Sequence, residues 1–116
     1  MLTPEEITKK SDAALLAQGE LARDDAGCFY AKPLLNDRRC GVGILLDQFA
    51  ANQLEYVYNL GSVRNYTNHV YKGKIKELFS KNGIDMDDPA TMQALIDIQV
   101  RHDKAKDFEK WKAGVK

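Results

Sequence analysis

The stretch VGILLDQFAANQLEYVYNL, running from Val42 to Leu60, decides the fold. At about 100° per residue, Gln48, Asn52, Glu55 and Asn59 fall on one narrow polar stripe. Val42, Ile44, Leu45, Leu46, Phe49, Leu54, Tyr56, Val57, Tyr58 and Leu60 cover nearly all the remaining circumference. The pattern predicts a central, largely buried helix over 42–60, with Gly61 placed to end it. So broad an apolar surface needs three neighbouring helices or a second copy of the chain to cover it. Asp47 falls inside the apolar arc, on the line of Ala51, Leu54 and Tyr58, where an ionised carboxylate requires a partner. Arg38 or Arg39 is the expected one, in a structural ion pair.

Working outward, Thr3-Pro4-Glu5-Glu6 reads as a capping box with proline at the first helical position, opening a helix over about 4–22. Its stop is Arg23-Asp24-Asp25-Ala26-Gly27. Residues 28–39 fit neither helical nor alternating periodicity. Pro33 favours extended backbone before it, while Phe29, Tyr30, Leu34 and Leu35 are too apolar for a slack linker. An ordered, partly apolar loop packed across the helices is expected. Beyond the central helix, Ser62 is positioned to cap a helix over 63–81, with Val63, Tyr66, Val70, Tyr71, Ile75, Leu78 and Phe79 inward and Asn82-Gly83 ending it. Asp87-Asp88-Pro89 starts a last helix over 89–112 by the same cap-then-proline logic. The fold expected is therefore all-α: one compact four-helix domain spanning 1–116, with the ordered loop between its first two helices.

Composition narrows the function. The 116 residues are 44% hydrophobic and 29% charged, the balance of a globule. Seventeen Lys and Arg offset seventeen Asp and Glu, so no global field steers the molecule to nucleic acid or anionic lipid. The charge is uneven along the chain. Residues 1–60 hold six basic and nine acidic side chains, net −3; residues 61–116 hold eleven and eight, net +3. No apolar run approaches the roughly 20 residues of a membrane span, and the first residues do not resemble a signal peptide, so a cytoplasmic protein is expected. Cys28 and Cys40 are then expected as free thiols. Two cysteines and two histidines do not make a zinc site of the usual spacing, and no metal or cofactor is expected. Asp85, Asp87 and Asp88 lack the loop length and later glutamate of a calcium loop and read as helix-start residues.

Catalysis requires a nucleophile, a base in reach and a group to stabilise developing charge. No such arrangement is visible, and His69 and His102 both read as solvated surface histidines. The sequence points to binding and not to turnover. Asn36-Asp37-Arg38-Arg39-Cys40-Gly41-Val42-Gly43 has the makings of an anion site: two guanidiniums, and glycines Gly41 and Gly43 that permit close approach at an expected helix start. Phe29 and Tyr30 lie beside it and would stack on a base if the ligand were a nucleotide. The competing reading gives Arg38 and Arg39 to ion pairs, the glycines to close packing and the aromatics to the core. A second candidate is the polar arc of the third helix, with Arg64, Asn65, Asn68, His69, Lys72 and Lys76.

Three functions follow from these candidates. The first is a non-enzymatic inhibitor or adaptor, homo-oligomeric through the central helix, binding an anionic protein partner through the Arg38/Arg39 turn and the basic arc. The second is an oligomer that sequesters a small phosphorylated ligand such as a nucleotide. The third is a DNA-binding regulator that reads bases with Arg64, Asn65 and Asn68. It is disfavoured by long helices and by a bulky Val57 where a helix-turn-helix wants a small residue.

Overall fold

The computed structural model describes residues 1–21, 23–24, 27–28, 40–60, 63–105 and 107–115. The fold is all-α, apart from one two-residue antiparallel pair, β1 (Arg23–Asp24) with β2 (Gly27–Cys28). The helices are α1 (Pro4–Gln18), α2 (Gln48–Asn52), α3 (Lys72–Lys81), α4 (Pro89–Lys104) and α5 (Phe108–Ala113). Each of the four expected helices is shorter than its apolar pattern, and in every case a local hydrogen bond decides where it stops.

α1 opens on the expected capping box. Glu6 N–H donates to Thr3 Oγ1 at 3.1 Å, and Thr3 N–H donates to Glu6 Oε1 at 2.9 Å. That backbone donor holds the Glu6 carboxyl below its ordinary value. Ile7, Ser11 and Leu15 recur every four residues on its buried side. The helix ends at Gln18 and not near 22. Gly19 takes the left-handed conformation at φ 75° and donates its N–H to Leu15 O at 3.0 Å.

The continuous central helix is replaced by two pieces. Cys40 to Leu46 threads the core, with only a three-residue 3₁₀ turn, Gly43–Leu45, and with Val42, Leu45 and Leu46 buried. Asp47 then breaks the run. Its backbone is extended, and its Oδ1 accepts Ala50 N–H at 2.7 Å as the N-cap of α2. The expected buried ion pair of Asp47 is thus corrected: the side chain is exposed, and its local backbone donor outcompetes continued helix. α2 widens into a π-helical turn, Gln53–Val57, in which Tyr58 N–H reaches back five residues to Gln53 O at 2.8 Å. Asn59, at φ 48°, closes it, before the expected stop at Gly61. Of this helix only Ala50, Ala51 and Leu54 are buried, while Phe49, Tyr56 and Val57 are exposed.

The third expected helix also divides, into a 3₁₀ segment Val63–Asn68 and α3. Val63, Tyr66, Ile75, Leu78 and Phe79 face inward as expected, whereas Val70 is 88% and Tyr71 50% exposed because both lie in the bend between the segments. The expected cap Ser62 lies outside the described residues. α3 closes in a Schellman motif: Ile84 N–H donates to Phe79 O and Gly83 N–H to Ser80 O, both at 3.0 Å, with Gly83 at φ 80°. α4 starts as expected on Asp88 and Pro89, and Asp88 Oδ2 accepts both Thr91 N–H (3.3 Å) and Thr91 Oγ1–H (2.7 Å). It stops at Lys104, short of the expected 112, because Asp107 recaps the chain as α5 through Lys110 N–H at 2.8 Å.

α1 and α4 pack against each other, with the threaded segment wedged at their contact. Ser11 Oγ–H donates to Gly41 O at 2.7 Å, and a Cβ placed on Gly41 would lie 2.5 Å from Ile98 Cγ2. Val63 N–H donates to the buried Gln99 Oε1 at 2.6 Å, fixing the 3₁₀ segment on α4. A second apolar cluster of Leu15, Leu21 and Trp111, with Ile44, Phe108 and Val115 against it, holds α5 to α1.

Candidate anion-docking face

The bend between Val63–Asn68 and α3 is built around His69. Tyr71 N–H donates to His69 Nδ1 at 3.0 Å, so that nitrogen is unprotonated. Nε2 therefore carries the hydrogen and donates it to Tyr58 O at 2.8 Å. The imidazole thereby ties the end of the π-turn to the start of α3. It is half-buried and structural, which corrects the expectation of a solvated His69 on the polar arc. Its ring forms a triangle with those of Tyr58 and Tyr71, at centroid distances of 6.4 and 6.0 Å, and the two tyrosine rings stand 5.5 Å apart.

Before and after this bend in the chain stand exposed cations, of which Arg64 lines a hollow with Ile96, Gln99, Val100, Asp103 and Lys104 of α4. Arg64, Lys72 and Lys74 are exposed and, among the described residues, none has an acidic partner. Asn65 and Asn68 are exposed beside them. The remaining cations of the segment are occupied. Lys76 is paired with Asp87, whose carboxylate raises the ammonium above its usual range by hydrogen bond and charge. Lys81 pairs with Glu77 at 3.5 Å. The expected arc is therefore narrower than its sequence spacing implies. It keeps Arg64, Asn65, Asn68 and Lys72, loses Lys76 and His69 to internal partners, and gains Lys74 with the exposed Val70 and Tyr71. The gain was hidden in the sequence because a straight helix puts Val70 and Tyr71 inside.

Of the other candidate site, Arg38, Arg39, Phe29 and Tyr30 lie outside the described residues. Gly41 and Gly43 are buried, Gly41 against Ser11 and Ile98. Gly43 N–H donates to Cys40 Sγ at 3.3 Å and Ile44 N–H to Cys40 O at 2.9 Å, so these donors serve the turn itself. His102, expected at the surface, is fully buried, on the inward face of α4. Among the described residues no three of His, Cys, Asp or Glu gather as metal ligands, and no helix is long and apolar enough to cross a membrane.

Several hollows flank α4; one of about 520 Å³ is lined by Arg64, Ile96, Gln99, Val100, Asp103 and Lys104, and two others meet at Arg101. A groove of about 640 Å³ between α1 and α4 carries mixed charge, with Glu5, Lys9, Asp12, Asp97 and Arg101 on its walls and the Arg101–Asp12 ion pair across it. A smaller one of about 380 Å³ lies where α4 gives way to α5. Arg101 joins the two, its guanidinium 5.3 Å from the Trp111 ring centroid. Among the described residues, Arg101 Nε and Trp111 Nε1 are buried donors without a hydrogen-bond partner, a condition that costs about 1–3 kcal/mol for each such group.

No family model matches the chain, and neither curated proteins nor solved structures provide a match.

Proposed function

We propose that this is a binding protein without turnover, of inhibitor or adaptor type, which docks an acidic protein surface on the face formed by Arg64, Lys72 and Lys74 around Val70 and Tyr71. The observation that supports it is that exposed cations with no acidic partner among the described residues, Arg64, Lys72 and Lys74, flank in the chain the exposed Val70 and Tyr71 at a hydrogen-bonded bend. A partner gains affinity by covering Val70 and Tyr71 and gains registry from the surrounding charges. The aromatic knot holds the face in shape before the partner arrives, which lowers the ordering cost of association. Phe49, Tyr56 and Val57, on the other exposed surface, serve contact between copies of the chain.

The test is direct binding of a fluorescein-labelled oligoglutamate and of a duplex DNA of similar length, read by anisotropy at several salt concentrations. The expected result is binding of the acidic polypeptide that weakens with salt and is lost in the triple variant Arg64→Glu/Lys72→Glu/Lys74→Glu, with circular dichroism unchanged. Tyr71→Ala should weaken it without altering the salt dependence. Binding of duplex DNA in preference to the peptide, or full peptide binding by the triple variant, overturns the proposal.

A further inference from the structure

We propose that His69 is a pH-sensitive latch: when its ring takes up a proton it releases Tyr71 N–H, and the bend at the start of α3 opens. This helix start has no ordinary cap. Tyr71 stands at the N-cap of α3 and its side chain makes no capping hydrogen bond. His69 supplies the acceptors instead, its Nδ1 taking Tyr71 N–H at 3.0 Å and its backbone oxygen taking Lys72 N–H at 3.2 Å. On the other side of the ring, Nε2–H donates to Tyr58 O at 2.8 Å. A neutral imidazole has one donor and one acceptor, and this bend uses both.

An imidazolium has two donors and no acceptor. A hydrogen on Nδ1 points at Tyr71 N–H, and two donors cannot face each other at 3.0 Å. The bond to Tyr58 O survives, because Nε2 carries its hydrogen in either form, so the ring stays with the π-turn and lets go of α3. The surroundings give the charged ring little in return. Glu55 is the one carboxylate of the π-turn, yet among the described residues no carboxylate pairs with His69. The 3₁₀ segment brings Arg64, and the first turn of α3 brings Lys72 and Lys74 with no acidic side chain. Tyr58, Tyr71 and the buried Tyr66 are uncharged near neutrality. The rings of Tyr58 and Tyr71 attract a cation weakly, whereas the positive end of the α3 backbone repels one. The lost hydrogen bond and the like charges therefore set the direction: acid opens the bend. Histidine changes charge between about pH 5 and 8, where carboxylates stay ionised. Opening unfixes Lys72 and Lys74 relative to Val70 and Tyr71. The latch acts in the free chain and stands whether or not this bend docks a partner.

Nuclear magnetic resonance of the isotope-labelled chain reads the latch from neutral pH down to about pH 5. At neutral pH the His69 ring is expected as the Nε2–H tautomer. On acidification the Tyr71 amide signal should shift with the same midpoint as the His69 ring. Its protection against hydrogen exchange, corrected for the intrinsic rate, should fall by about five- to tenfold, as for one lost hydrogen bond. The amides of Phe79 and Leu95, both in the core, should keep their positions and protection, which shows the chain still folded. In His69→Asn the side-chain oxygen still accepts the N–H two residues on, but it takes up no proton, so the Tyr71 amide should stay fixed over the same range. Should that variant not fold, the wild-type tautomer and the shared midpoint decide alone. An Nδ1–H tautomer at neutral pH overturns the proposal. So does a Tyr71 amide that ignores pH or follows the His102 ring, or an unchanged pH response in His69→Asn.

Discussion

Gly41 shows how one residue sets the relation of three segments. Its carbonyl accepts from Ser11 of α1 while its missing side chain leaves room for Ile98 of α4. The backbone there is not left-handed, so space and not conformation demands glycine. Gly41→Ala would drive a methyl group to 2.5 Å from Ile98 Cγ2, in a helix that is itself fixed by its core face. The expected loss is about 1–3 kcal/mol, measured by urea denaturation. In the double variant with Ile98→Ala the loss should be smaller than the sum of the two single losses, because the second change removes the colliding atom. The close-packing role of this glycine was legible from the sequence as the competitor to an anion site. The role of Asp47 was not, since an aspartate inside an unbroken apolar run satisfies the helical wheel as well as it satisfies a cap. Only the extended backbone at 47 distinguishes the two.

Between elements, Asn82 does for α2 and α3 what Gly41 does for α1 and α4. Its Oδ1 accepts Asp47 N–H at 3.1 Å, and its Nδ2 donates to Leu78 O at 2.9 Å and to Asp47 Oδ2 at 3.3 Å. One side chain thus joins the end of α3 to the start of α2, across 35 residues of sequence. Asn82→Ala should cost about 1–2 kcal/mol in chemical denaturation, part of it as loosening of the Asp47 cap. Asn82→Asp should cost more at neutral pH, because two carboxylates then face each other, and the excess should shrink as pH falls and they take up protons. Asn82-Gly83 was readable as a helix stop, and the Schellman closure bears it out. Its second job was unreadable, because it depends on where the α2 cap falls in space. The same limit explains the breaks in the other helices. Apolar periodicity runs smoothly through 69–71 and 105–107, while the His69 and Asp107 hydrogen bonds that interrupt it follow no period.

For the whole molecule, the sequence placed the apolar excess of residues 42–60 correctly in amount and wrongly in form. Most of it is inside one chain, in the thread Val42–Leu46 and at Leu54 and Leu60; Phe49, Tyr56 and Val57 are instead 65%, 53% and 56% exposed on α2 and its π-turn. Three large apolar side chains on so short a helix make a patch that water solvates poorly and a second copy can cover symmetrically. The halves of the chain carry opposite charge, net −3 over residues 1–60 and net +3 over 61–116, so copies also attract when each half meets the other. Light scattering at micromolar concentration should therefore give twice the mass of one chain. Phe49→Lys should return the species to a monomer with its helical circular dichroism intact, because a residue 65% exposed contributes little to the monomer's own core. If the dimer instead persists in Phe49→Lys and dissociates in high salt, charge and not the apolar patch holds it. A wild-type chain that stays monomeric up to millimolar concentration would leave Phe49, Tyr56 and Val57 without the role proposed for them. The docking face proposed around Val70 would then function on single chains, since every residue named in it belongs to one copy.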